Sequence, residues 1–151
     1  MTAGFDFSGA EVLVIGASRA GIGAAIARAF QTAGASVAIT GVEAEPDEQD
    51  RDRFRYVQLD VTDVDAVSRL AEATARLDVL VNAAAITSRG EEMEPSFFQR
   101  VVDVNLHGTF RAAAAFQPHL AASRGSVINI ASMYATFGSP RNPAYGASKA
   151  A

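Results

Sequence analysis

The sequence of 151 residues has no cysteine, no tryptophan and only two histidines, His107 and His119. Without cysteine the chain forms no disulfide and offers no thiolate to a metal, and two histidines exclude a histidine-rich metal site, so we expect no metal. No run of 18 apolar residues occurs, and the N-terminus lacks a basic region followed by an apolar run. We therefore expect neither a membrane span nor a signal peptide, and predict a soluble, cytoplasmic protein.

Positive charge is also scarce, since the sequence has 13 basic and 17 acidic residues and a net charge of −4. This balance argues against nucleic acid or an anionic membrane surface as a partner. The hydrophobic fraction of 49% is typical of a globular protein with a real core. We expect one domain over residues 1–151.

Short apolar runs alternate with helical patterns along the whole chain. We predict strands at 12–15, 36–40, 54–59, 77–81 and 125–130. Helices are predicted from Gly21 to the stop at Gly34, at 64–75, at 95–121 and from about residue 144, with a loop or a frayed turn at 41–53 and a loop at 83–94. Because the strands are apolar throughout, both faces of the sheet must be covered. The pattern predicts an α/β fold with a doubly wound parallel sheet and right-handed crossovers.

A glycine-rich turn lies between the first strand and the first helix. Glycines there let the backbone approach a pyrophosphate, and the helix N-terminus supplies free N–H donors. The position predicts a dinucleotide site, and the alternative is a tight turn that needs glycine only for steric reasons. The residues expected to bind the cofactor here are Gly16, Ser18, Arg19, Gly21, Ile22 and Gly23.

The choice between NAD and NADP is open. An acidic residue after the second strand would bond the ribose 2′-hydroxyl, and a basic residue would meet a 2′-phosphate. Gly41 and Val42 occupy the usual places and give neither signal. Glu43 or Glu45 could take the first role, and Arg19 could take the second.

Asp60 and Val61 end the third strand. In a parallel sheet the carboxyl ends of the strands share one edge, so this pair is placed to flank an adenine. The alternative for Asp60 is to cap the helix that begins near Val64.

Tyr145 and Lys149 stand four residues apart, on one face of a helix. A free tyrosine, with a pKa of about 10, is a poor acid–base group at neutral pH, but a neighbouring ammonium stabilises the phenolate. Tyr145 could then exchange a proton with a carbonyl or alcohol oxygen while a hydride moves, and Ser132 could bond the same oxygen. The alternative, a solvated helix face, is disfavoured by the nucleotide turn upstream. Asn105, on the inward face of its predicted helix, is expected to have polar partners or to distort the helical hydrogen bonds around a water, and the alternative is an exposed side chain.

Together these residues resemble the short-chain dehydrogenase/reductase family, and the resemblance extends from Phe7 to Ala151. The matching segments are the glycine turn at 16–23, Asp60-Val61, 80–86, Asp103-Val104-Asn105, 128–132 and 145–149. The resemblance implies a Rossmann-like dinucleotide-binding domain. It also implies a homodimer or homotetramer, formed through the helix at 95–121 and the helix that carries Lys149.

The resemblance also implies residue roles. Asn105, Ser132, Tyr145 and Lys149 would form a catalytic tetrad, with Tyr145 as the acid–base. Lys149 would also bond the nicotinamide ribose, and Asn105 would hold a water that links Lys149 to solvent. Next to the cofactor would lie Asn82, which stabilises the central strands, with Ala83 and Ala84.

Three departures from the family pattern stand out. The glycine turn is one residue longer, with Ala20 as the apparent insertion, so that the turn bulges or Ala17 takes the place of Gly16. Ala85 stands where the family has glycine, which adds a methyl near the cofactor. Family members continue beyond this point, so we expect an N-terminal portion, truncated after the fifth strand and the start of the next helix, with that strand at a sheet edge.

The leading hypothesis is an NAD(P)-dependent oxidoreductase that interconverts a ketone and a secondary alcohol. The alternative is a catalytically silent dinucleotide-binding or oligomerisation domain, and a nucleotide-sugar epimerase fits the segments around Asn82 and Asn105 poorly. Mixed polarity in the neighbouring loops favours a small polar substrate such as a polyol or sugar derivative, and a β-ketoacyl thioester is the other option. The loop residues concerned are Thr87, Ser88, Arg89, Tyr134, Phe137 and Asn142.

Overall fold

A computed structural model describes residues 4–151. The strands are β1 (Glu11–Ile15), β2 (Ser36–Gly41), β3 (Arg55–Gln58), β4 (Val79–Asn82) and β5 (Ser126–Asn129). The helices are α1 (Ile22–Thr32), α2 (Glu48–Arg51), α3 (Val64–Glu72), α4 (Pro95–Val102), α5 (Gly108–Ser123) and α6 (Pro143–Ala150). A π-helical turn (Asp103–His107) joins α4 to α5, and 3-10 turns lie at Glu91–Met93 and Met133–Ala135.

The five strands form one parallel sheet in the order β3-β2-β1-β4-β5, which confirms the predicted fold. β2 and β3 lie on one side of β1, and the chain then crosses to the other side, where β4 and β5 lie. Ile15 at the end of β1 is in register with Thr40 of β2 and Asn82 of β4. The carboxyl ends therefore meet at the point where the strand order reverses, which is where ligands bind in such sheets.

The core lies in two layers, one on each face of the sheet. Leu13 and Ile15 of β1 belong to the layer that contains Phe116 of α5, whereas Val12 and Val14 belong to the other layer. All of these side chains are at most 2% exposed, and burial of each contributes about 1.5–3 kcal/mol. Alternate residues of β1 thus pack on opposite faces, as the two-residue period of a strand requires.

The helix predicted at 95–121 forms, with a local distortion at Asn105. The helical segment runs from Pro95 to Ser123, but its middle is a π-helical turn centred on Asn105. The buried Asn105 amide bonds the backbone of Ile86 on a neighbouring loop, and a wider turn accommodates that contact. Within 41–53, where a loop or a frayed turn is predicted, the chain forms the single turn α2, whose buried Asp50 pairs with Arg28 at 2.6 Å.

β5 lies at one edge of the sheet, as predicted, and all four of its residues are exposed. Val127 and Ile128 are 44% and 38% exposed. Within residues 4–151, none of the helices has both the length and the apolar character that a membrane crossing requires. Across the same residues, no three acidic or histidine side chains cluster in a way that could hold a metal ion.

Candidate active site

A cavity of about 1050 Å³ opens at the carboxyl ends of the strands, at the upper end of the range for small-molecule sites. It extends from the glycine turn after β1 to the first two turns of α6. The predicted site residues that line it are Gly16, Ser18, Arg19, Gly21, Ile22, Gly23, Asp60, Val61, Ala83, Ala84, Tyr145 and Lys149. Asn82, Asn105 and Ser132 are outside this lining in the described part of the chain.

The glycine turn keeps Gly16 in its predicted place. Gly16 has φ +86°, and a Cβ there would overlap the backbone of Ala84, while a Cβ on Gly23 would overlap the carbonyl oxygen of Gly16. Ala17 is fully buried in the core and therefore does not replace Gly16. Ala20, the apparent insertion, lies after this contact in the turn, and its N–H donates to an Asp47 carboxylate oxygen at 2.6 Å.

The N-terminus of α1 fits a pyrophosphate. Gly21 precedes the helix and offers no side chain to cap it, so the first-turn N–H groups are left for another acceptor. Gly21, Ile22 and Gly23 all line the cavity, and the Ile22 side chain is 64% exposed. Free backbone donors and the positive end of the helix dipole favour an anion at this position.

The end of β2 carries an ionised carboxylate, Glu43, on the cavity wall. The Ser18 hydroxyl donates to Glu43, and this bond, more than the neighbouring Arg19, holds the pKa of the Glu43 carboxyl below its usual value. Gly41 makes the contact possible, because any side chain there would overlap Ser18. The sequence gives no sign of this role for Gly41, because Ser18 is distant in sequence and comes into contact with it only in the folded protein.

Arg19 also lines the cavity, but two carboxylates hold its guanidinium. Its Nε lies 3.3 Å from Glu43 and its Nη1 lies 3.2 Å from Asp47. Glu45, the other acidic candidate, is outside the cavity lining and pairs with Arg51 at 2.5 Å. The structure therefore places Glu43, and not Glu45, beside the glycine turn.

Asp60 does not cap α3. Its carboxylate accepts hydrogen bonds from the Thr62 N–H (2.9 Å) and the Thr62 hydroxyl (2.8 Å), whereas Asp63 accepts from Ala66 and caps the helix. Asp60 and the buried Val61 line the cavity on the side of β3.

Tyr145 and Lys149 both face the cavity from α6. The Lys149 Nζ lies 5.8 Å from the centroid of the Tyr145 ring and donates to the carbonyl oxygen of Ile130 at 2.6 Å. Burial lowers the pKa of Lys149. The Ser132 hydroxyl oxygen accepts from the Tyr134 N–H at 3.2 Å and caps the turn after β5, which leaves its own O–H free to donate, and its place beside Tyr145 stays a prediction.

Asn105 connects three segments from its place in the π-helical turn. Its Oδ1 accepts from the Ile86 N–H at 2.8 Å, and its Nδ2 donates to the Ile86 carbonyl at 3.0 Å and to the Ser148 hydroxyl at 3.1 Å. It thus ties the loop after β4 to α6, and the water expected beside it stays a prediction. Asn82 donates to the Asn129 side chain at 2.9 Å, which links β4 to β5.

Sequence reasoning missed Glu92, which lies in the predicted loop at 83–94 and is only 1% exposed. Its carboxylate accepts from Thr87, Ser88 and Asn142 and from the backbone of Tyr145. Three loop residues expected near a substrate are therefore bonded to this carboxylate. No local signal distinguishes Glu92 from the neighbouring acidic residues of the run Glu91-Glu92-Met93-Glu94.

The fold is a Rossmann-type α/β fold, and its cavity is lined by a glycine turn at one end and by Tyr145 and Lys149 at the other. A family model described as short chain dehydrogenase matches residues 10–151. The chain belongs to the short-chain dehydrogenase family.

Similar proteins support this assignment. D-threitol dehydrogenase of Mycolicibacterium smegmatis is 37% identical, over 96% of this chain and 62% of its own length. L-fucose dehydrogenase of Oryctolagus cuniculus is 34% identical, over 100% of this chain and 56% of its own length. The ligand-free structure of Thermoplasma acidophilum aldohexose dehydrogenase matches with a TM-score of 0.86 and 33% identity, over 95% of this chain and 57% of that one. The chain thus spans about three fifths of the length of these relatives, which are dehydrogenases.

Proposed function

We propose that this chain is the dinucleotide-binding portion of an NAD(P)-dependent oxidoreductase that interconverts a ketone and a secondary alcohol. One observation carries the proposal, namely a single cavity with the uncapped N-terminus of α1 at one end and Tyr145 beside Lys149 at the other. An anion site and a proton-transfer pair on the same cavity are what a dinucleotide-dependent hydride transfer requires.

Tyr145 donates a proton to the substrate oxygen during reduction and removes one during oxidation. The ammonium of Lys149 stabilises the phenolate form, and partial burial strengthens this attraction because water screens it less. The bond to Ile130 fixes one of the three Lys149 N–H groups and leaves two to contact bound molecules. The nicotinamide, when bound, supplies or accepts the hydride.

The cofactor we propose is NAD. Glu43 is ionised on the cavity wall at the end of β2, where its oxygens can accept hydrogen bonds from a ribose hydroxyl and would repel a phosphate. Arg19 is the cation that a 2′-phosphate would need, but Glu43 and Asp47 already neutralise it.

The substrate class we propose is a polyol or sugar. Two curated relatives are named for D-threitol and L-fucose, and the structural relative is an aldohexose dehydrogenase. The proposal rests on these similarities and not on the loop residues. The hydroxyl and amide groups of Thr87, Ser88 and Asn142, which were expected near a substrate, are bonded to glutamates of the protein itself.

The test is a nicotinamide absorbance assay on the complete gene product, with polyols, sugars and simple ketones as substrates. Tyr145→Phe removes only the acid–base hydroxyl, so we expect kcat to fall by about 10²-fold or more, with dinucleotide affinity kept within about twofold. Dinucleotide binding without any turnover that depends on Tyr145 would contradict the enzyme and leave a silent binding domain.

Tyr134→Phe is the matched control. The Tyr134 ring packs edge-to-face on Tyr145 with centroids 6.2 Å apart, and it does not line the described cavity. This variant removes the same hydroxyl from the neighbouring ring and keeps the packing. We expect its kcat to stay within about twofold of the wild-type value, a change typical of a group that takes no part in proton transfer.

A further inference from the structure

The helix that carries Tyr145 and Lys149 is capped by a distant side chain. Asn142 precedes α6, but its own amide is turned away, donating to Thr87 at 2.9 Å and accepting from Ser139 at 3.1 Å. Pro143 has no N–H, so the backbone N–H of Tyr145 is one of the few first-turn donors that need a partner. It donates to Oε2 of Glu92 at 2.8 Å, across 53 positions of sequence.

The other carboxylate oxygen of Glu92 is also fully used. Oε1 accepts from the Thr87 hydroxyl at 2.7 Å, the Ser88 N–H at 3.1 Å and the Asn142 amide at 3.4 Å. One oxygen thus binds the loop after β4 and the other binds α6. Glu92 is therefore a bridge between two segments that border the cavity.

Glu92 is a buried charge without a cationic partner among the described residues. A buried carboxylate is costly unless hydrogen bonds replace its hydration, and a helix N-terminus adds a favourable dipole. Burial disfavours the charged form, but the hydrogen bonds outweigh it, the Tyr145 N–H first among them, and hold the pKa of Glu92 below its usual value. The carboxylate is thus kept ionised to act as an acceptor on both sides.

We propose that Glu92 is the positioning residue for Tyr145, because it fixes the first turn of α6 against the loop after β4. This role rests on the proposed function, in which Tyr145 exchanges a proton at the substrate oxygen. Glu92 touches neither the phenol nor the cavity, so it acts only through the backbone of Tyr145.

Glu92→Gln is the sharpest variant. The side chain keeps its shape, but an amide has one acceptor oxygen and one NH₂ donor in place of two acceptors. In either orientation of the amide, one side of the bridge sets a donor against a donor. The Tyr145 N–H or the Ser88 N–H then loses its acceptor, although the Thr87 hydroxyl can rotate to accept, and the two segments are no longer held together as before.

The experiment combines residue-resolved amide exchange with kinetics on the complete gene product. In Glu92→Gln we expect the amide that loses its acceptor, that of Tyr145 or that of Ser88, to exchange about tenfold faster, while amides of β1 stay unchanged. We expect kcat for a sugar or polyol to fall about tenfold, with the NAD dissociation constant within about twofold of wild type. Glu91→Gln is the matched control, since Glu91 is an exposed neighbour that bonds only Ser88, and it should change none of these values.

Each outcome decides the role. A Tyr145 amide and a Ser88 amide that both exchange at the wild-type rate in the variant overturn the proposal, as does a weakening of NAD binding that matches the fall in kcat. If the wild-type protein shows no turnover that depends on Tyr145, the proposed function fails, and faster exchange then supports only the bridge. Should Glu92→Gln not fold, Glu92→Asp keeps both oxygens on a shorter stem and is expected to give smaller changes in the same direction.

Discussion

Glu43 and Arg19 bring opposite charges to the end of the cavity beside β2. The Ser18 hydroxyl and the space above Gly41 fix the carboxylate there, and Asp47 draws the guanidinium to the same cluster. Two carboxylates against one guanidinium leave a net negative charge where a ribose 2′-substituent would lie. The preference for NAD that we propose thus depends on the Glu43 carboxylate.

Glu43→Gln removes that negative charge and frees Arg19 from one partner. We expect the ratio of the NADP and NAD dissociation constants to shift about tenfold towards NADP, which corresponds to about 1.4 kcal/mol. Binding titrations with both dinucleotides measure it. Glu45→Gln is the control, because Glu45 is exposed and pairs with Arg51 outside the cavity. A wild-type protein that prefers NADP would contradict the proposal.

At the scale of elements, the π-helical turn between α4 and α5 ties α6 to the loop after β4. Asn105 supplies both bonds to the Ile86 backbone and the bond to Ser148. Glu92 makes a second connection between the same two segments through Tyr145. The helix that bears the proposed acid–base is therefore held at two points of one face.

Asn105→Ala removes the three bonds that this amide makes to the half-buried Ile86 backbone and to the buried Ser148 hydroxyl. We expect the free energy of unfolding to fall by about 2 kcal/mol, because these hydrogen bonds are lost and the Ser148 hydroxyl is left with one partner fewer, as measured by urea denaturation. Gln117→Ala truncates an exposed amide on α5 and should change it by less than about 0.5 kcal/mol. An equal fall in the free energy of unfolding in the two variants would show that the Asn105 hydrogen bonds do not stabilise the fold.

The sequence predicted the sheet and the glycine turn because both depend on local patterns. The apolar runs around Val14 and Val81 identify buried strands, and the glycines at 16–23 lie where a strand meets a helix. A distortion of the helix at Asn105 was among the expectations, but its partner, the Ile86 backbone, lies 19 residues away in sequence and gives no local signal. Glu92 escaped because its partners are distant in sequence, and an acidic loop residue offers no sign that it will be buried.

At the scale of the whole molecule, acid should destabilise the fold through carboxylates with lowered pKa values. In Glu92 the hydrogen bonds outweigh burial, and in Asp103 the bond from Arg111 is the main cause. The unfolded chain binds more protons below about pH 4.3, so the contribution of these groups is present above that pH and is lost as pH falls through their folded pKa values.

We therefore expect the urea midpoint to fall steadily from about pH 4.5 downwards, with little change between about pH 5 and pH 7. Glu92→Gln should flatten this slope because it removes the buried titrating group, whereas Glu91→Gln should leave it intact. A slope that is identical in Glu92→Gln and wild type would show that Glu92 is not among the groups responsible.

The packing of Gly16 against Ala84 has a consequence for the growing chain on the ribosome. β2 pairs with one edge of β1 and precedes β4, which pairs with the other edge. The glycine turn, although it precedes β2 and β4 in the chain, acquires its final packing only once residue 84 is in place. Because domains form while synthesis proceeds at about 5–20 residues per second, the turn is completed only after β4 and the loop that follows it have emerged.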